Sequence, residues 1–123
     1  MFEIFIDDDF SAAHSLKNYK GKCENLHGHN YKVRVFVAGE SLDNSGMLMD
    51  FTELKRDVSS ILLLLDHKCL DDVEPFDKTN PTAENIAKYI YDKLKMKIQT
   101  PGRSIEKVFV WETDKNCAVY YER

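Results

Sequence analysis

A chain of 123 residues is the size of one ordinary domain, and 43% hydrophobic with 31% charged residues describes a water-soluble globular protein. A net charge of −4 excludes the broad basic footprint that nucleic acids or anionic membranes select. The first residues lack a basic stretch followed by an apolar core, no apolar run approaches the roughly 20 residues of a spanning helix, and three cysteines are too few for a disulfide framework, so free thiols in the cytoplasm are expected.

Phe2, Ile4 and Ile6 alternate with Glu3, Phe5 and Asp7, which predicts a first strand running through a solvated or bulged Asp7-Asp8-Asp9 stretch toward His14. Residues 15–26 read as a polar loop that delivers Cys23 to the next strand. Over residues 27–38, His27, His29, Tyr31, Val33, Val35 and Val37 share one parity, so a half-buried strand carries two histidines on its apolar face. Residues 39–46 form a turn region. Asp50-Phe51-Thr52-Glu53 is a capping box, and Phe51, Leu54, Val58, Ile61, Leu62 and Leu65 make the stripe of a helix ending near Asp66-His67.

Residues 68–79 connect to a second helix beginning around Pro81, with Asn80 or Thr82 as its cap, Glu84 in its first turn, and Ala83, Ile86, Ala87, Ile90 and Leu94 facing inward. After the Pro101-Gly102 turn signal, residues 105–113 read as a third strand, 114–116 as a hairpin turn and 117–122 as a fourth strand. The order ββααββ predicts an α+β fold, one domain over residues 1–123, with two helices on one face of a four-stranded antiparallel sheet. Its edges stay open to pairing with another chain.

The chemistry concentrates in Cys23-Glu24-Asn25-Leu26-His27-Gly28-His29. Two imidazoles on one strand face reach one ion, and zinc takes about three or four protein ligands. His14, at the end of the first strand, supplies the third if the two strands pair antiparallel, and three histidines leave a coordination position for substrate. Cys23 reads equally as a fourth ligand, a nucleophile or an inert thiol. Asp66-His67 is a carboxylate–imidazole pair suited to proton transfer, or else a histidine placed favourably at a helix C-terminus. Glu112 stands on the apolar face of the third strand, where a carboxylate needs donors such as the N–H pair of a flat heterocycle, unless it ends the strand in solvent. Thr82 reads first as a helix cap.

The segments Phe10-Ser11-Ala12-Ala13-His14, Cys-x-x-x-His-Gly-His, Gly46-Met47-Leu48-Met49-Asp50-Phe51, Leu65-Asp66-His67, Asn80-Pro81-Thr82-Ala83-Glu84-Asn85 and Trp111-Glu112-Thr113 together resemble the 6-pyruvoyl-tetrahydropterin synthase superfamily. The blocks occur in order along nearly the whole chain, and the Cys-x-x-x-His-Gly-His spacing is most similar to the 6-carboxy-tetrahydropterin synthase branch of queuosine and deazapurine biosynthesis. The resemblance implies a tunnelling fold (T-fold), whose sheets join into a trimeric barrel, with two trimers stacked as a homohexamer. It implies that His14, His27 and His29 bind Zn2+, that Cys23 is the general acid/base, that Asp66 and His67 act from a neighbouring subunit, that Glu112 anchors a pterin and that Thr82 lies near it.

The implied reaction converts 7,8-dihydroneopterin triphosphate to 6-carboxy-tetrahydropterin with loss of triphosphate and acetaldehyde. Lys17, Lys20, Lys22 and Arg34 are candidates for the triphosphate, with an ordinary solvated face as the alternative. A folate-related branch carries Glu in the pattern Glu-x-x-His-Gly-His and forms 6-hydroxymethyl-dihydropterin. Glu24 occupies that position, so the chain holds both candidate bases. A pyruvoyl-forming enzyme and a non-catalytic metal- or pterin-binding protein are the other readings.

Overall fold

Alternating apolar residues at the N-terminus produce β1, Phe2–His14, and the equal parity of His27 through Val37 produces β2, His27–Gly39. In the computed structural model of the chain, which describes residues 1–16 and 25–123, these two strands pair antiparallel along their full lengths, from Phe2 opposite Gly39 to His14 opposite His27. The three aspartates stay in register with Arg34, Val33 and Lys32, so the stretch is a solvated part of the strand without a bulge. Asp7 binds Arg34 through two hydrogen bonds, and the Ser59 hydroxyl donates to Asp8 Oδ2 at 3.0 Å.

Asp50 caps α1, Phe51–Leu62, by accepting from the Thr52 N–H at 2.8 Å. Glu53, the other half of the expected box, lies 3.5 Å from Arg103 Nη2. Regular helix stops at Leu62, earlier than predicted, because residues 63–67 continue as turns whose shape still buries Leu65 while exposing Leu63 and Leu64. The apolar periodicity therefore overran the helix. Phe51, counted in the stripe, is 55% exposed.

The stretch read as a plain connection contains a further strand. β3, Lys68–Cys69, pairs parallel with Ala12 and Ala13 of β1 and leads into a 3-10 turn at Leu70–Asp72. Helix α2, Ala83–Ile98, begins two residues later than Pro81. Thr82 is its N-cap, accepting from the Asn85 N–H at 3.1 Å, and Pro81 is buried ahead of it. Gly102 takes φ +96° in the turn before β4, Arg103–Thr113, which returns through a tight turn to β5, Asn116–Tyr121.

The sheet order is β3-β1-β2-β4-β5, five strands where four were expected, with the parallel pair confined to one edge. One sheet face carries Ile6, Phe10, Val33, Val35, Val108 and Val110, all buried against α1 and α2 in one apolar cluster. The opposite face carries a ridge of ring contacts, Phe5–Phe36–Phe109–Trp111, with Arg34 and Lys107 lying over its rings. No helix of the described residues is long and apolar enough to cross a membrane.

Candidate metal centre and adjoining clefts

The strand register brings the histidines together. His14 faces His27 across β1 and β2, His29 lies two residues along the same face, and their ligand nitrogens all fall within 4.8 Å of one another. His14 is buried and the other two are partly covered. A carbonyl accepts and never donates, so His14 Nδ1, 2.9 Å from the Pro81 carbonyl, carries the ring proton, as does His27 Nδ1 at 2.9 Å from the Asn25 carbonyl. Each ring then presents an Nε2 lone pair, and the two Nε2 atoms stand 3.1 Å apart.

Lone pairs confronting one another at that distance repel unless a cation lies between them. Two nitrogens at tetrahedral positions around zinc, each ~2.0–2.1 Å away, lie roughly 3.3 Å apart, so the observed spacing fits such an ion with little adjustment. Backbone carbonyls that fix the tautomer of a ligating histidine are the usual outer support of a metal site. The residues present fit a divalent cation held by three imidazoles.

Two further groups adjoin the cluster. The Tyr31 hydroxyl lies 3.2 Å from His14 Nδ1 on a fully buried ring. Burial, then the charges of Glu112 and Asp71, raise this phenol well above its ordinary range. Glu112, near the end of β4, places Oε1 3.5 Å from His29 Nε2. It also opens onto a cleft of about 320 Å³ that it shares with Leu16, Thr82, Glu84, Asn116 and Cys117. Thr82 is therefore both the cap of α2 and a wall of the cleft holding Glu112.

Asp66 and His67 form their own pair on the outer side of β1. Asp66 Oδ2 lies 3.0 Å from His67 Nδ1, while Asp66 Oδ1 accepts from the Ser11 N–H at 2.9 Å and the His67 N–H donates back to the Ser11 carbonyl. The Ser11 N–H chiefly, with His67 contributing, holds the Asp66 carboxyl below the usual carboxylate range. His67 adopts φ +58°, a left-handed conformation that turns the chain from α1 into β3. Its side chain is 83% exposed and borders a groove of about 460 Å³ with Ser11, Gly28, His29, Asn30 and Lys68.

The structure thus unites His14, His27, His29 and Glu112 and keeps Asp66–His67 as a separate pair. Cys23 and Glu24, with Lys17, Lys20 and Lys22, lie outside the described residues. Arg34, a candidate for phosphate, is instead bound to Asp7 on the aromatic face. The Pro81 carbonyl and Asp71 were not found by sequence reasoning. A backbone acceptor leaves no residue signature, and Asp71 sits in a stretch without periodicity; Tyr31 was visible only through its parity with the histidines.

Comparison with known proteins gives a consistent grouping. The family described as 6-pyruvoyl tetrahydropterin synthase matches residues 3–123. A putative 6-pyruvoyl tetrahydrobiopterin synthase of Caenorhabditis elegans is 42% identical, over 92% of this chain and 89% of that one. The 6-carboxy-5,6,7,8-tetrahydropterin synthase of Bacillus subtilis is 38% identical, over 97% of this chain and 84% of that one. Among solved structures, the 6-pyruvoyl tetrahydropterin synthase of Caenorhabditis elegans superposes with a TM-score of 0.85 at 38% identity, covering 99% of this chain and 96% of that one.

Proposed function

The chain belongs to the 6-pyruvoyl tetrahydropterin synthase family and has its tunnelling fold, and we propose on that premise that it is a zinc-dependent 6-carboxy-tetrahydropterin synthase. The substrates are 7,8-dihydroneopterin triphosphate and one water, and the products are 6-carboxy-tetrahydropterin, triphosphate and acetaldehyde. The observation that carries the metal part is the pair of facing Nε2 atoms of His14 and His27, each ring oriented by a backbone carbonyl. The Cys-x-x-x-His-Gly-His spacing and the Bacillus subtilis relative support the carboxy branch.

In this reading His14, His27 and His29 hold the cation. When bound, it supplies Lewis acidity to the oxygens of the substrate side chain. Glu112 accepts two N–H bonds from the flat pterin, whose ring occupies the cleft that Thr82 also walls. Cys23 removes and returns a proton on the side-chain carbon. Asp66 orients His67 through Nδ1, so that this exposed imidazole serves as a proton-transfer partner to a neighbouring subunit. The open edge at β5, with Val119 and Tyr121 exposed beside the aromatic face, supports assembly of several sheets into a barrel, as a homohexamer of two trimers in the cytoplasm.

A second reading, the pyruvoyl-forming enzyme, is favoured by the 42% identity to the Caenorhabditis elegans relative. A hydroxymethyl product formed through Glu24 is the third. One experiment separates them: the zinc-loaded protein is incubated with dihydroneopterin triphosphate and the pterin products are resolved by mass. Carboxypterin and acetaldehyde, lost in Cys23→Ala and retained in Glu24→Ala, support the proposal. A pyruvoyl product, or turnover lost only in Glu24→Ala, replaces it with one of the other two, and bound pterin without any product marks a non-catalytic protein.

A further inference from the structure

β1 ends at His14, and β3 accompanies it only as far as Ala13. The ligand nearest the strand terminus therefore lies where the sheet stops holding the backbone. What takes over is Asp71, from the 3-10 turn that follows β3. Its Oδ2 accepts from both the Ser15 N–H, at 3.1 Å, and the Ser15 hydroxyl, at 2.8 Å, and the Cys69 thiol lies 3.8 Å from the same oxygen. The other oxygen, Oδ1, is buried with no hydrogen-bond partner among the described residues. Leaving a carboxylate oxygen so placed costs stability, and a group kept at such a cost calls for a role.

Asp71 thus borders His14 through the backbone unit that follows it, Ser15. We propose that Asp71 is a positioning residue of the three-histidine centre, anchoring Ser15 so that His14 keeps its Nε2 aimed at the shared cation. This rests on the reading of His14, His27 and His29 as metal ligands.

The test is titration of the metal-free full chain with Co2+, followed by its ligand-field absorption and by competition with a chelator. Wild-type protein that takes up no Co2+ overturns the metal reading itself and this inference with it. If the wild type binds, Asp71→Ala is expected to weaken affinity roughly 10- to 100-fold, the usual effect of an outer-shell partner, and to change the absorption band. Asp71→Asn, which keeps an acceptor oxygen for Ser15, is expected to restore most of both. Ser15→Ala, which deletes only the hydroxyl donor, is expected to weaken affinity severalfold, and it decides the matter if Asp71→Ala does not fold. Wild-type affinity and spectrum in Asp71→Ala or Ser15→Ala overturn the proposal, as does an Asp71→Asn variant no better than Asp71→Ala, since charge alone would then explain the effect.

Discussion

The three histidines and the Asp66–His67 pair attach to the same end of β1, yet they are built in opposite ways. The histidines occupy the covered face, on two strands in continuous register, with the ring protons of His14 and His27 directed at backbone carbonyls. The pair occupies a turn on the outer side, with His67 in a left-handed conformation and its ring largely in water. A site that selects an ion by geometry gains from rigidity, because small displacements of a ligand weaken coordination. A group that shuttles a proton to another molecule must instead remain reachable.

The contrast can be broken first at the covered site. His14→Ala removes a buried side chain proposed as a ligand, and turnover is expected to fall by roughly three orders of magnitude, the several kcal/mol that a Lewis acid contributes. Metal analysis should show substoichiometric zinc, and full occupancy would mean that His14 is not a ligand. His67→Ala sharpens the other side of the comparison. An expected loss in kcat of about a hundredfold, with zinc content and Tm unchanged, would assign chemistry to the pair without any share in binding the ion. Loss of zinc in that variant would merge the two regions.

Thr82→Ala tests the residue that both caps α2 and walls the Glu112 cleft. Losing the cap should lower stability by about 1 kcal/mol, seen as a drop of a few degrees in thermal melting, and KM for the pterin should rise if the hydroxyl also meets substrate. The smallest effect expected is that of Asp66→Asn on acid stability. Because the folded carboxyl titrates below its unfolded range, its contribution is complete above about pH 4 and disappears as pH falls through the lower folded value. The difference in Tm between wild type and Asp66→Asn should therefore narrow below about pH 4, and a widening there would reverse the assignment.

How much of this was legible in the sequence depends on whether a residue acts through a period. The His-x-His pair and the valines after it follow the two-residue repeat of a strand, and their face was readable, as was His14 opposite them. The stripe of α1 was readable but overran its end, since Leu65 is buried by a turn. β3 was not legible. Two residues carry no periodicity, and Lys68–Cys69 becomes a strand only because Ala12 and Ala13 lie alongside. Pro81 was expected inside the helix for its fixed φ, whereas the structure uses its carbonyl to orient His14, a role that no side-chain pattern encodes.

The segment from Asp66 through Asp71 fastens to Ser11, Ala12, Ala13 and Ser15 of a single neighbouring stretch, residue against residue. Such matched spacing leaves no slack for length variation. One amino acid inserted or deleted between positions 66 and 71 would slide either the imidazole–carboxylate couple or the Ser15 anchor out of step, whereas the exposed turn at residues 40–47 has no comparable partner row among the described residues and should absorb the same change.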